Sequence, residues 1–104
     1  MRDLKDKLEE SIQSIGITTE LFYQQKIEQG YKQLEYTIAI LIDTTNSIFK
    51  YKAENHDILI DEKQLVQVLA DAMEAMEVKD TVLLSDILQY ELIELLDKIH
   101  SMLK

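Results

Sequence analysis

Apolar positions recur at helical spacing almost from one end of this chain to the other, and no proline interrupts them. The pattern is plainest in the second half. Leu65, Val66, Val68, Leu69, Ala72, Met73 and Met76 fall on one arc at about 100° per residue, while Lys63, Gln67, Asp71, Glu74 and Glu77 fall on the other. Asp61 precedes Glu62-Lys63-Gln64, an order in which Asp61 caps the helix and Gln64 takes its third position. This predicts an amphipathic helix over about 62–78. Asp80 offers the next N-cap. Leu84, Leu88, Leu92, Leu95, Ile99 and Met102, widened by Leu96 and Leu103, predict a helix over about 81–103. Only Val78-Lys79-Asp80 separates the two, so they are expected to form an antiparallel hairpin.

In the first half, Leu4, Leu8, Ile12, Ile15, Thr19, Phe22 and Tyr23 share one face. That face keeps its phase through Gly16, which predicts one helix over about 3–24. A break between Gly16 and Thr19, with Thr18 or Thr19 as cap, is the alternative. A second stripe comprises Ile27, Tyr31, Leu34, Ile38, Leu41, Ile42, Thr45, Ile48 and Phe49 and predicts a helix over about 27–50. Its phase is rotated by one residue's step from the first, which places a turn within Gln24-Gln25-Lys26. Residues 51–61 lack a helical period and read as the connecting loop. Within it, Ile58-Leu59-Ile60 suits a hydrophobic lid over one end of the molecule, or else a short edge strand. The expected architecture is a single all-α domain spanning 1–104: a four-helix bundle of two antiparallel hairpins, arranged up-down-up-down.

Composition narrows the chemistry. A chain of 104 residues exceeds the roughly 70–80 below which disulfides or metals are needed as staples. Cysteine is absent, which removes disulfides, thiolate metal sites and cysteine nucleophiles. The start Met1-Arg2-Asp3-Leu4 has no signal-peptide character. The longest apolar run, Ile38-Ala39-Ile40-Leu41-Ile42, falls far short of the ~20 residues that cross a bilayer. A cytoplasmic protein is expected. Net charge is −9, and it is uneven: residues 1–52 hold 7 Lys/Arg against 8 Asp/Glu, residues 53–104 hold 4 against 12. Such a balance opposes contact with phosphate backbones and anionic membranes, so neither nucleic acid nor membrane is expected as a partner.

The stretch Leu21-Phe22-Tyr23-Gln24-Gln25-Lys26-Ile27-Glu28-Gln29-Gly30-Tyr31 resembles the hairpin of a tetratricopeptide repeat, where a bulky residue before the turn packs on a small one after it, here Gly30. The rest of that repeat, including its closing proline, is missing. The stretch from Val82 to Leu92 resembles a segment common in small uncharacterised all-helical bacterial proteins. That likeness implies the fold and a bacterial origin, and it brings no activity and no site residues.

No constellation carries catalysis. His100 lies three residues after Asp97, but both project away from the apolar stripe, and His56 sits in the loop near Asp57 and Asp61, which lacks the glycine and spacing of a calcium loop. No metal and no cofactor is implied. Glu35 and Glu91 lie at the edges of apolar arcs. A buried carboxylate at either place would have a raised pKa and serve a ligand-binding or enzymatic bundle; the plainer reading has each reaching solvent. Apolar residues off the stripes are more telling. Tyr36 and Ile40 pair on the second helix, Ile17 and Leu21 on the first, and Leu83, Ile87, Tyr90 and Ile93 lie off the main arc of the last. Tyr36, Ile40, Leu83, Ile87 and Tyr90 are therefore the candidate interface residues. The expected function is a non-enzymatic interaction module, forming a homo-oligomer (a dimer) or holding a partner helix. A small acidic export chaperone of the flagellar or secretion type is the alternative within that class.

Overall fold

The computed structural model describes residues 3–56 and 58–103. It has four helices and, among the described residues, no strand: α1 (Leu4–Tyr23), α2 (Ile27–Glu54), α3 (Glu62–Glu77) and α4 (81–102). The last is continuous but not uniform, because Ile87–Leu92 winds as a π-helix between two α-helical parts. Helix α1 passes through Gly16 without a break.

The helix ends follow from local chemistry. Asp3, Asp61 and Asp80 each accept a hydrogen bond from the backbone N–H three residues on, at 2.9, 3.0 and 3.0 Å. Both tight turns end alike. The Lys26 N–H bonds the Leu21 carbonyl and the Asp80 N–H bonds the Ala75 carbonyl, each at 2.9 Å. Between them Gln25 and Lys79 sit in the left-handed region, at φ 61° and 59°. This is the Schellman closure of a helix, made here without glycine.

The long second helix corrects the expected loop. Residues 51–54 are helical, so the connection is only 55–61. Lys52 donates from Nζ to the Ile60 carbonyl at 2.7 Å, which ties the loop back to the helix. Ile60 is buried and Ile58 half-buried, whereas Leu59 is exposed, so only part of the expected lid covers anything. At 28 residues α2 is about 42 Å long at the helical rise, which matches the 42 Å long axis of the molecule.

Helices α1 and α2 pack along a seven-residue repeat. The α1 row is Leu4, Leu8, Ser11, Ile15, Thr18 and Phe22; the α2 row is Gly30, Leu34, Thr37, Leu41, Thr44 and Ile48. Hydroxyls therefore alternate with large apolar groups, and they pair across the seam. Ser11 bonds Thr44 at 2.8 Å, and Thr37 bonds both Ser14 at 2.6 Å and Thr18 at 2.8 Å. All five are buried. At the turn end, the Phe22 ring lies over Gly30, where a Cβ would stand 2.6 Å from two ring carbons. Phe22 also meets Tyr31 edge-on at 5.3 Å. The bulky-on-small contact expected from Leu21 to Tyr31 is thus present.

On its other side α1 packs against α4. Thr19 donates to Gln89 at 2.9 Å, the Tyr23 hydroxyl donates to Asp86 at 2.8 Å, and Glu9 lies 3.6 Å from His100. Helix α4 also packs on α3, so it buries a wide arc: Leu84, Ser85, Ile87, Leu88, Leu92, Leu95, Leu96 and Ile99. Helix α2 packs closely on α1 and stands off from α3.

Candidate functional site

The gap between α2 and α3 is the feature of this fold that requires an explanation. The row of α2 directed at α1 uses Leu34, Thr37, Leu41, Thr44 and Ile48. Ile38, Ile42, Thr45 and Phe49 lie roughly a quarter-turn round from it, as their spacing dictates. Helix α3 is built the same way. Leu65, Val68, Ala72 and Ala75 are buried, while Val66, Leu69, Met73 and Met76 form a second strip. These two second strips face each other without closing. They leave an open cleft of about 330 Å³, floored by Leu84 and Leu88 of α4. Ile42 is 59 % exposed and Met73 67 % exposed on its walls.

The lining decides what the cleft can do. Among the described residues its only polar side chains are Thr45 and Asn46, and none of those residues is ionisable. Acid–base chemistry has no residue there to perform it, and a polar ligand would find few hydrogen-bond partners. Apolar matter, by contrast, would displace water from carbon on every wall.

The residues expected to form an interface do not come together. Tyr36 is 59 % exposed and Ile40 half-buried, on the side of α2 turned away from the cleft. Leu83 and Tyr90 are exposed along the α3–α4 side. Ile87 is a correction: it is only 5 % exposed and belongs to the core. The stripe of Leu84 to Met102, even widened by Leu96 and Leu103, leaves Ile87 outside, but packing against both α1 and α3 brings it inside. Ile17 is exposed and Leu21 half-buried.

Neither carboxylate considered for an internal role is internal, since Glu35 and Glu91 are both exposed. His100 does not project freely into solvent as expected. It is half-buried against Glu9, at a separation too long for a hydrogen bond. His56 is exposed in the loop, and Asp57 lies outside the described residues. Among the described residues no three His, Asp or Glu side chains meet in a way that could hold a metal ion. Among the described residues Tyr23 is the one perturbed group. Partial burial of its ring, which stays 44 % exposed, and then its bond to the Asp86 carboxylate push its pKa above the ordinary 10.0.

A family model described as "Domain of unknown function (DUF8042)" matches residues 1–102. The chain belongs to the DUF8042 family. No curated protein and no solved structure matches it. The DUF8042 match takes in all four helices, so the cleft lies wholly within the family's unit. No helix among the described residues is long and apolar enough to cross a membrane.

The cleft is not legible from the apolar stripes alone, although most of its lining belongs to them. Ile38, Ile42, Leu69, Met73 and Met76 were all assigned to core-facing stripes. The missed signal lay in the hydroxyls. Counting Ser11, Thr18, Thr37 and Thr44 as seam residues would have occupied one face of α2 with α1 and left the Ile38–Ile42 strip without a partner.

Proposed function

We propose that this chain is a non-enzymatic interaction module whose working surface is the α2–α3 cleft, and that the cleft receives a helix from a protein partner. The observation that carries this reading is the cleft itself. Two apolar strips at helical spacing face each other across it, and Ile42 and Met73 remain exposed on its walls. A bundle that served only as a structural unit would gain by closing α2 onto α3. A cytoplasmic location and a role as a small acidic chaperone are compatible with this reading. The absence of long apolar helices among the described residues and the acidic charge support both.

Self-association is the second reading, and it rests on a different surface. Tyr36 and Ile40 of α2 and Ile17 of α1 are apolar and at least partly exposed, away from the cleft. Substitution separates the two. Met73→Asp and Ile42→Asp alter exposed side chains and are expected to leave helicity intact. In affinity capture from the native lysate, each is expected to lose a stoichiometric protein that the wild type retains, while Tyr36→Asp keeps it. The reverse pattern, loss with Tyr36→Asp and retention with Met73→Asp, would move the working surface to the outer α1–α2 face.

A further inference from the structure

We infer that the groove between α3 and α4, on the flank of α3 away from the cleft, binds a peptide segment of a protein partner in which Lys or Arg is interspersed with apolar residues. Shape comes first. At the turn end of the two helices a hollow of about 330 Å³ is floored by Ala75 and Ile87 and walled by the exposed Val78 and Leu83. A second hollow of about 190 Å³ continues it over Val68 and Leu95, beside the exposed Tyr90. Glu91 lines both, so the two form one groove. From Gln64 to Val78 it runs about 21 Å at the helical rise, some four turns. Val78, Leu83 and Tyr90 leave carbon in water along that length, and apolar side chains laid on them would release that water.

Charge then selects the occupant. Asp71, Glu74, Glu91 and Glu94 stand along the groove, and Lys98 at its far end is the only cation among the described lining residues. Asp71 accepts a hydrogen bond from Gln67 at 2.8 Å, and none of the four carboxylates joins an ion pair among the described residues. They do not converge, since no three of them could hold one metal ion. A row of separate negative charges over an apolar floor fits cations carried at intervals on a chain, with carbon between them. Phosphate-bearing partners have the wrong sign, and a second copy of this chain would bring another net charge of −9. The groove shares no lining residue with the α2–α3 cleft, so this inference stands apart from the cleft reading.

The experiment uses three synthetic peptides of equal length, each carrying a fluorophore. One intersperses Arg and Lys with Leu, one replaces its Leu by Ser, and one replaces its cations by Glu. Anisotropy is followed on titration with the whole chain at low and high salt. The basic leucine peptide is expected to bind at least about tenfold more tightly than either control at low salt, and to weaken at high salt. Glu74→Gln with Glu91→Gln, and Leu83→Ser by itself, are each expected to weaken it about tenfold while circular dichroism shows the fold retained. Glu28→Gln with Glu35→Gln, equal in charge but away from the groove, and Met73→Ser in the cleft are expected to leave it unchanged. Equal weakening by the distant pair would show attraction to net charge alone and overturn the inference. Binding of the serine peptide as tightly as the leucine peptide, or binding of neither, would overturn it too. Binding lost with Met73→Ser and kept with Glu74→Gln and Glu91→Gln would place the peptide in the cleft, again against the inference.

Discussion

Gln25 and Lys79 hold a backbone conformation that costs a residue with a Cβ roughly 1–2 kcal/mol. Glycine removes that cost at the helix end it prefers. Gln25→Gly and Lys79→Gly are each expected to raise the urea midpoint, by an amount equivalent to about 1 kcal/mol. The two natural glycines divide in the opposite sense. A Cβ at Gly16 would meet nothing within 4 Å, so Gly16→Ala should stabilise α1 by about 0.5–1 kcal/mol through helix propensity. A Cβ at Gly30 would strike the buried Phe22 ring, so Gly30→Ala should cost about 1–3 kcal/mol in the same measurement. Tyr23 adds a pH dependence. Well below 10.0 its phenol is neutral in the folded and unfolded chains alike. Above 10.0 the unfolded chain ionises first, because the folded pKa is raised, so stability falls as pH climbs. Denaturation of Tyr23→Phe as a function of pH should lack this alkaline component.

At the scale of the element, the α1–α2 seam is unusual in placing hydroxyls where a hairpin of this kind would carry leucine or isoleucine. Thr37 is its hub, within hydrogen-bond distance of Ser14 and Thr18. Thr37→Val removes its bonds to Ser14 and Thr18, which keep the Thr18–Ser14 carbonyl bond and the bond from Gln33, and is expected to cost about 1 kcal/mol. The triple change with Ser14→Ala and Thr18→Ala should recover part of that loss, which a mutant cycle by denaturation would read. This seam also marks the limit of what hydrophobic periodicity conveys. Both turns, the caps at Asp61 and Asp80 and the continuity of α1 through Gly16 were legible, because each is local chemistry. Ser11 and Thr18 were passed over for Ile12 and Thr19, because a search for apolar residues at a 3.6-residue period ignores hydroxyls at a period of seven. The last turn of α2 was not legible because its apolar stripe stops at Phe49 while the helix continues to Glu54. Ile87 was misplaced because the width of a buried arc is set by how many neighbours a helix has, which no single helix records.

For the whole molecule, the number of helices and their order could be read, but the opening between α2 and α3 could not. Ile38, Leu69 and Met76 have the same spacing whether the helices meet or stand apart. The arrangement that results is closed along α1–α2, α1–α4 and α3–α4 and open along the fourth edge. A box fastened on three edges has one soft motion: its halves turn about the seam opposite the gap, here α1–α4. Rotation about that seam is expected to change the width of the opening. Since the chain has no cysteine, paired spin labels can be placed at will. Labels across the mouth, at Asn46 and Gln67, should give a broader distribution of distances than labels at Gln13 and Asp97 across the α1–α4 seam. In such a frame the width of the α2–α3 opening is set by an angle and not by a fixed length.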